Sequence, residues 1–500
     1  MRVLFVYPNS TGYSRVPMGI AILSSCLKKA GHQVKVFDTS FYKLKTKTDD
    51  QIREQLGQVK KTDLSKYGVT FATKTKEEIF DELKCCIEKY KPGLCAFSSN
   101  EEQLHYAYMV AENIKTYSNV PIIFGGVSVT TSPLEIIKKA FVDMACIGEG
   151  EEAIVELANA MEEGKDVSDI KNIWSKRNGS IIKNDVRQLV DINTLPFADV
   201  DEFSDKHFYR PFDGKVYRML MFEMIRGCAF RCSYCNNSIM MDLYKNKGKF
   251  VRRKGIKRTI DELEYLKNKY NVELFFFIDD DFLHIKEAEL EELMKEYRRR
   301  VKVPFIVQGT AKLSTLKKFE ILKKSNCLTV AMSIESGSDT IRKSILNRKV
   351  PNNVIINAFQ LAKKIGLKAN SQNIIGIPDE TRKDIFETIE INRKCQAYSI
   401  STNFMTPFKG TEIRNNSVER GYIDPAFSVT TGIRGRPVLK LPQISDEELI
   451  GIQKVFSLYV KLPKYAYALI RYCESDRIGS EFIYNKLQNW MWKRTDSEYN

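Results

Sequence analysis

Residues 226–237, RGCAFRCSYCNN, set Cys228, Cys232 and Cys235 in a C-x3-C-x2-C pattern. Three thiols this close, with no fourth cysteine or histidine in register, leave a closed zinc site one ligand short. The nearest histidine, His207, lies outside the motif. The same three thiolates can hold an iron–sulfur cubane and leave its fourth iron open, as a catalytic metal site needs. The preceding VYRMLMFEMI (216–225) reads as a buried strand running into Arg226-Gly227. Tyr234 stands just before the third cysteine, where its ring could lie beside a ligand on the open iron.

Apolar runs alternate with amphipathic ones on both sides of this loop. Before it, RVLFVY (2–7), VKVFD (34–38), GLCAFSS (93–99), PIIFGG (121–126) and VDMACIG (142–148) read as strands. PMGIAILSSCLKKAGHQ (17–33), DELKCCIEKY (81–90), EEQLHYAYMVAENIKTY (101–117) and EGEEAIVELANAMEEG (149–164) carry apolar residues at helical spacing. Such alternation predicts a doubly wound parallel α/β sheet. Ligands bind such sheets at the carboxyl ends of the strands. Ser98, Ser99, Gly125 and Gly126 fall at those ends, and glycine lets a ligand approach the backbone.

After the loop the alternation resumes, with strands ending near 225, 279, 308, 334, 375 and 404. This predicts a six-stranded partial (β/α) barrel, whose site lies at the carboxyl ends of its strands. Polar groups gather there: Asp279, Asp280 and Asp281; Glu335 and Ser336; Ile375 and Gly376 in IIGIP; and the TPFKGT loop at 406–411. Gln308 and Asn373 are further pocket candidates. Any one of these acids alone reads as a helix N-cap; their arrival at successive strand ends is what marks a site. The expected division is a first domain at 1–165, a connector at 166–215, the barrel at 216–420 and a helical C-terminal region at 421–500. Within the connector, Leu195, Pro196 and Phe197 are expected to dock on the barrel, and Asp199 and Asp201 to be solvated or capping. His32 is expected at the surface.

Composition narrows the class. An apolar share of 43% and a charged share of 28% suit a soluble globular protein. No run of about 18 apolar residues predicts a membrane span. MRVLFVYP enters a strand directly, without the apolar stretch of a signal peptide, so a cytoplasmic protein is expected. Eleven cysteines, scattered apart from the trio, do not form a disulfide framework; Cys26, Cys85, Cys86, Cys95, Cys146, Cys327, Cys395 and Cys473 read as buried thiols. The net charge of +15 is spread over helices with acids interleaved, so a nucleic-acid partner is not expected.

On C-x3-C-x-aromatic-C after a strand, the second half resembles the radical S-adenosylmethionine enzymes. The resemblance implies a [4Fe-4S] cluster whose open iron is chelated by S-adenosylmethionine. One electron, from a reductant such as ferredoxin or flavodoxin, then cleaves the sulfonium to a 5′-deoxyadenosyl radical under anaerobic conditions. It also implies roles in holding S-adenosylmethionine: Tyr234 beside the ligand, an acid among Asp279–Asp281 at its amino group, Glu335 and Ser336 at ribose and methionine, Ile375 and Gly376 at adenine. The first half is similar to cobalamin-binding domains, through PMGIAILSSCLKKAGHQVKVFD, the serine pair, IIFGGVSVTTSP and IGEGE. There Ser98, Ser99, Gly125 and Gly126 would face the nucleotide tail and corrin. Many such domains carry D-x-H-x-x-G in their first loop, but PNSTGYSRVP (8–17) has no histidine. Cobalamin is therefore expected without a histidine ligand. The combination implies cobalamin-dependent methylation of an unactivated carbon in a small molecule or peptide. The alternatives are a cobalamin-linked radical cyclase or oxidoreductase, a tRNA methylthiotransferase-like enzyme, and a non-catalytic cobalamin-binding protein.

Overall fold

The computed structural model describes residues 1–9, 15–44, 47–429 and 433–499. Half of the histidine-free loop, residues 10–14, lies outside the described residues. The first sheet contains β1 (Arg2–Tyr7), β2 (Gln33–Asp38), β3 (Leu94–Ser98), β4 (Ile122–Gly125), β5 (Met144–Cys146), β6 (Ile173–Arg177) and β7 (Ser180–Ile182), in the order β2-β1-β3-β4-β5-β6-β7. Its first five strands are parallel. Val3 to Val6 are buried without a break, as a strand covered by helices on both faces requires.

The last two strands are antiparallel and run past the expected boundary at 165. They were concealed in a stretch of weak periodicity. Their turn is Asn178-Gly179, both at positive φ (50° and 76°), the chemistry of a two-residue hairpin.

The second sheet holds β8 (Tyr209–Phe212), β9 (Lys215–Phe222), β12 (Leu274–Phe277), β13 (Phe305–Gly309), β14 (Cys327–Glu335), β15 (Lys368–Ile375) and β16 (Ser399–Phe404). The intervening β10 (Ile225–Arg226) and β11 (Arg252–Arg253) form a separate two-stranded ribbon. The order β16-β15-β14-β13-β12-β9-β8 follows the sequence back, and its two edges do not pair, so the barrel is open. Six strands are parallel, as expected. β8 is an added antiparallel edge, joined to β9 through Asp213-Gly214, again at positive φ (49° and 77°). β9 stops at Phe222 rather than 225, because the next amides leave the ladder: Met224 N and Ile225 N donate to Asp279.

The tail is helical, over Asp446–Lys461, Tyr467–Tyr472 and Ser480–Tyr499. Leu449, Ile452 and Phe456 share a core with Ile375, Ile389 and Phe404 of the barrel, so this region packs rather than reaching for bases. Arg393 donates to the carbonyls of Tyr459, Val460 and Leu462, a cation placed at the negative end of a helix. Among the described residues no helix is long and apolar enough to cross a membrane.

Several smaller expectations change. Cys85 is exposed and Cys86 half-buried. His32 is buried, not at the surface, with its ring nitrogens 2.8 Å from the Met1 amino group and 2.9 Å from Asn159. The connector docks on both halves. Arg258 of the barrel donates to Leu195 and Pro196 carbonyls and lies 4.3 Å over Phe197, while Ser25 donates to the Phe197 carbonyl. Asp199 pairs with Lys28 and Asp201 with Lys269, so these acids tie the connector to opposite halves.

An ion network closes the interface beside the cysteine loop. Arg226 pairs with Glu149 and Glu151 of the first half and with Glu223 of its own strand end. Arg252 donates to Glu149 from the ribbon. Tyr244 enters the same seam: its hydroxyl accepts from Glu149 N at 2.6 Å, and a Cβ on Gly148 would fall 2.1 Å from it. Burial pushes the Glu149 carboxyl up, but Arg252 and Arg226 outweigh it and hold it below its ordinary value. Its contribution is therefore present above the ordinary carboxylate pKa and lost as pH falls through the lower folded value. Arg226→Met strands buried carboxylates and is expected to cost about 3 kcal/mol in urea unfolding at neutral pH, with a smaller gap from the parent in acid.

Candidate active site

The cysteine loop is built by contacts that do not involve sulfur. Gly227, at φ 93°, donates its N–H to Asp280 at 2.8 Å, and a Cβ there would lie 2.5 Å from the Phe250 carbonyl. Ser233 donates through N to the Leu346 carbonyl and through Oγ to the Ile345 carbonyl. Asn347 donates to the Arg231 carbonyl. Cys235 stands just before the helix Asn236–Leu243, without a side-chain capping bond, at an amino end that favours negative charge. Arg348 brings a guanidinium to 3.9 Å from Cys232 Sγ.

All three thiols are free. Burial pushes Cys228 up to about 12 and Cys235 up to about 11, so bare thiolates are disfavoured and bound iron would reverse that. Among the described residues no three His, Cys, Asp or Glu side chains converge on one ion. A cubane asks for something else: each thiolate takes its own iron. Three free thiols on one prebuilt loop, with a guanidinium against one, fit that donor set.

The three aspartates separate. Asp279 is fully buried and accepts from Met224 N and Ile225 N at 2.6 and 2.8 Å. Asp281 accepts from Leu283 N and Thr310 N. Both hold backbone through Oδ1, while their buried Oδ2 atoms have no hydrogen-bond partner among the described residues. Asp280 is exposed and reaches the cysteine loop, accepting from Gly227 N and Asn237 Nδ2. Glu335 ends β14 at φ 64° and accepts from the Tyr234 hydroxyl at 2.9 Å, so strand end and cysteine loop meet there. A non-glycine residue held at positive φ is strained and clusters at functional sites. Ser336 is fully buried and its Oγ accepts from Ser338 N in its own turn. Gln308 lines the barrel interior. Asn373 does not: it bonds Asn392 on the outer helix, one residue out of register with Asn370 and Gln372, which face inward.

Ile375 is buried in the wall, with its carbonyl accepting from Met405 N. Gly376 stands at φ 73°. Sequence reasoning missed what holds it. Glu380 is fully buried, and its Oε2 accepts from Gly376 N and Ile377 N at 2.7 and 3.3 Å. The signal was available as an acid four residues beyond a glycine turn. Burial pushes Glu380 up to about 8. A raised carboxyl contributes stability that is full below its ordinary pKa and lost as pH rises through the folded value. Glu380→Gln is expected to keep the turn and flatten the loss of melting temperature between pH 5 and pH 8. Glu380→Ala orphans two buried N–H groups and should cost about 2 kcal/mol or more.

In the first half, Ser98, Ser99, Gly125 and Gly126 do come together. Ser98 pairs with Gly125 across the sheet, and Ser99 N donates to the Gly125 carbonyl. Ser128, unremarked in the sequence, donates to the Ser99 carbonyl at 2.8 Å and lies 3.3 Å from its hydroxyl. A Cβ on Gly126 would fall 2.6 Å from the Ser99 carbonyl oxygen, so that glycine serves the turn itself. A Cβ on Gly125 would make ordinary contacts at 3.7 and 3.8 Å, leaving its face approachable. This small polar floor fits a cobalamin tail.

The two halves share one cavity of about 1040 Å³. Tyr7, Asn100 and Gln103, at the carboxyl ends of β1 and β3, form one wall; Met219, Phe276, Ile306 and Gln308 of the barrel form another. None of the four histidines lines it.

An open barrel with three cysteines after its first strand, joined to a doubly wound sheet, defines a radical S-adenosylmethionine fold with a cobalamin-type domain. The chain matches the Radical SAM superfamily over residues 222–391 and the B12 binding domain over residues 6–158. The chain therefore carries a radical S-adenosylmethionine domain and a B12-binding domain, and the two imply a [4Fe-4S] cluster, S-adenosylmethionine and cobalamin. An uncharacterized methyltransferase of Pyrococcus horikoshii is 25% identical over 477 residues, spanning 93% of each chain. An anaerobic magnesium-protoporphyrin IX monomethyl ester cyclase of Rubrivivax gelatinosus is 22% identical, over 83% of this chain and 69% of its own. The fold is similar to the radical S-adenosylmethionine methyltransferase TsrM of Kitasatospora setae, solved with cobalamin and a [4Fe-4S] cluster, at TM-score 0.66 and 15% identity over 98% of this chain and 99% of that one. It is also similar to OxsB, solved with aqua-cobalamin and S-adenosylmethionine, at TM-score 0.69 and 13% identity over 100% of this chain and 71% of that one.

Proposed function

We propose that the chain methylates an unactivated carbon of a small molecule or peptide, using cobalamin and a radical cut from S-adenosylmethionine. The observation that supports this most is the shared cavity: the carboxyl ends of the first sheet and the barrel interior face one space. When bound, the cluster with S-adenosylmethionine supplies the radical and cobalamin the methyl group; the protein supplies orientation and a dry site.

In this reading Cys228, Cys232 and Cys235 bind the cluster as thiolates, with Arg348 offsetting charge at Cys232. Asp280 fixes the loop and offers its exposed carboxylate toward an amino group. Tyr234 and Glu335 brace one another across the cofactor pocket, where Glu335 can accept from a ribose hydroxyl. Ile375 and Gly376, set by Glu380, present backbone to adenine. Ser98, Ser99, Gly125 and Gly126, with Ser128, receive cobalamin. The cobalamin part spans about 1–182 and the barrel part about 209–420, with the helical region beyond. A one-electron reductant such as ferredoxin or flavodoxin is the expected partner.

The test is anaerobic incubation of the reconstituted protein with a strong reductant and S-adenosylmethionine bearing a deuterated methyl group. Both 5′-deoxyadenosine and deuterium in the corrinoid fraction are expected by mass spectrometry. Deoxyadenosine without methyl transfer would move the assignment to a radical cyclase or oxidoreductase. Neither product, from protein with its cluster intact, would mean a cobalamin-binding protein without this activity.

A further inference from the structure

Arginine is buried at four places among the described residues, and at three of them the protein itself satisfies it. Arg210 pairs with Asp50, Arg342 pairs with Asp339, and Arg414 donates to the carbonyls of Pro407, Asp424, Pro425 and Phe427. Arg348 is the exception. It is 8% exposed, pairs with no carboxylate among the described residues, and leaves its Nε without a hydrogen-bond partner. Its Nη2 donates to the Ser333 carbonyl at 3.2 Å, and its Nη1 lies 3.9 Å from Cys232 Sγ. A buried cation without a counter-ion is costly, so this one is held for a negative charge that the protein's carboxylates do not supply.

The turn that carries the guanidinium is closed from both sides. Arg348 N donates to the Arg342 carbonyl, and Arg342 Nε donates to the Val350 carbonyl. The same turn is bonded to the cysteine loop: Ser233 reaches the carbonyls of Ile345 and Leu346, and Asn347 reaches the Arg231 carbonyl. The carboxylates around the thiols oppose further negative charge. Those of Asp281 and Asp280 bear on Cys228, and those of Asp280 and Glu335 on Cys235. The other cations nearby are engaged or farther out. Arg226 is shared among Glu149, Glu151 and Glu223, Arg231 pairs with Asp242, and Lys312 stands 6.0 Å over the Phe230 ring.

We propose that Arg348 is the counter-ion of the iron–sulfur cluster, a positioning residue that acts through the Cys232 thiolate to make the cluster easier to reduce. One electron, from a ferredoxin- or flavodoxin-type donor, makes the thiolate-bound cluster more negative by one charge. A cation fixed against one sulfur stabilises that reduced state more than the oxidised one. Hydrogen bonds to the sulfurs and local net charge are among the levers that set such potentials. The guanidinium needs no reorganisation when the electron arrives, because its turn has already placed it. Arg348 has this role only if Cys228, Cys232 and Cys235 hold the cluster, as the proposed function requires.

The test is a potentiometric titration of the full chain loaded with cluster and cobalamin, without S-adenosylmethionine, read by the paramagnetic signal of the reduced cluster. At the same applied potential Arg348→Gln is expected to hold about ten-fold less reduced cluster than the parent, a downward shift of about 59 mV for a one-electron couple. Arg348→Lys should recover most of that shift, because it restores the charge. Iron is assayed in each variant, and a merely structural arginine would leave the potential unmoved wherever the iron is retained. Equal potentials in parent and Arg348→Gln would overturn the proposal, as would Arg348→Lys behaving like Arg348→Gln. So would an effect seen only as weaker binding of S-adenosylmethionine, which would assign the cation to that molecule's carboxylate. Should Arg348→Gln lose its iron, the parent decides. Grown with isotope-labelled arginine, its reduced cluster should show a weak nitrogen coupling in pulsed paramagnetic resonance that Arg348→Lys lacks, and absence of that coupling in the parent would overturn the proposal. The deuterium experiment reads methyl transfer rather than potential, so either can fail alone.

Discussion

Replacing Cys228, Cys232 and Cys235 together by alanine is expected to give a folded, colourless protein with no iron and no cleavage of S-adenosylmethionine. The parent, purified without oxygen, should be brown and carry about four irons, as one cubane requires. Folding should survive because the loop is tied by other groups: Asp280 takes Gly227 N, Leu346 takes Ser233 N, and Ser233 O takes Ile413 N. Cys228 and Cys235 are only half-buried, so their truncation opens little core. The eight remaining cysteines give no refuge for a cluster: Cys26, Cys95, Cys146, Cys327, Cys395 and Cys473 are buried singly in the packing, and Cys85 and Cys86, neighbours on one helix, supply only two thiols. Burial pushes several of them well above the ordinary thiol value, Cys146 and Cys327 up to about 12. Iron assay and quantitation of 5′-deoxyadenosine read the result. Iron retained in the triple variant would remove the basis of the cluster assignment, and about eight irons in the parent would point to a second cubane and the methylthiotransferase reading.

What the sequence made legible follows the physics of each element. The parallel strands announced themselves as unbroken apolar runs, since both faces are covered by helices. The two hairpin additions were less visible: β6–β7 and β8 are short, half-exposed and partly charged. Their turns, Asn178-Gly179 and Asp213-Gly214, carried the signal that periodicity lacked. At the site, residue types at strand ends located the region but not the direction of each side chain. Asp279 and Asp281 look identical to Asp280 in sequence, yet two serve backbone amides and one faces the loop. Asn373 failed by a single register step, which in a strand reverses the face. Glu380 could have been read from its place four residues beyond the Gly376 turn, whereas Ser128 and Arg348 act from separate segments, and no spacing rule ties them to the glycines or cysteines they support.

The second large expectation concerns cobalamin. A Gly125→Val substitution is expected to abolish cobalamin uptake while leaving iron content unchanged. Gly125 ends β4 without a positive φ, and its Cβ would meet Cys146 and Phe97 only at ordinary distances, so valine fits the strand and projects into the floor. Gly126 is the wrong position for this test. Any side chain there drives into the Ser99 carbonyl from a φ of 100°, so Gly126→Ala should lower the melting temperature and confuse lost binding with lost structure. Iron is expected to persist in Gly125→Val because the cysteine loop is held by Asp280, Leu346 and Ile345 from the barrel. In the parent, bound cob(II)alamin should show no nitrogen superhyperfine splitting in its paramagnetic resonance spectrum. His32 and His207 are engaged by the Met1 amino group with Asn159 and by Asp38, and His105 and His284 are exposed away from the cavity lining. A ligand absent from the lower face changes the cobalt centre as any change of ligation tunes a metal. Splitting from an axial nitrogen would contradict the histidine-free assignment, and full cobalamin uptake by Gly125→Val would move the tail away from the Ser99 floor.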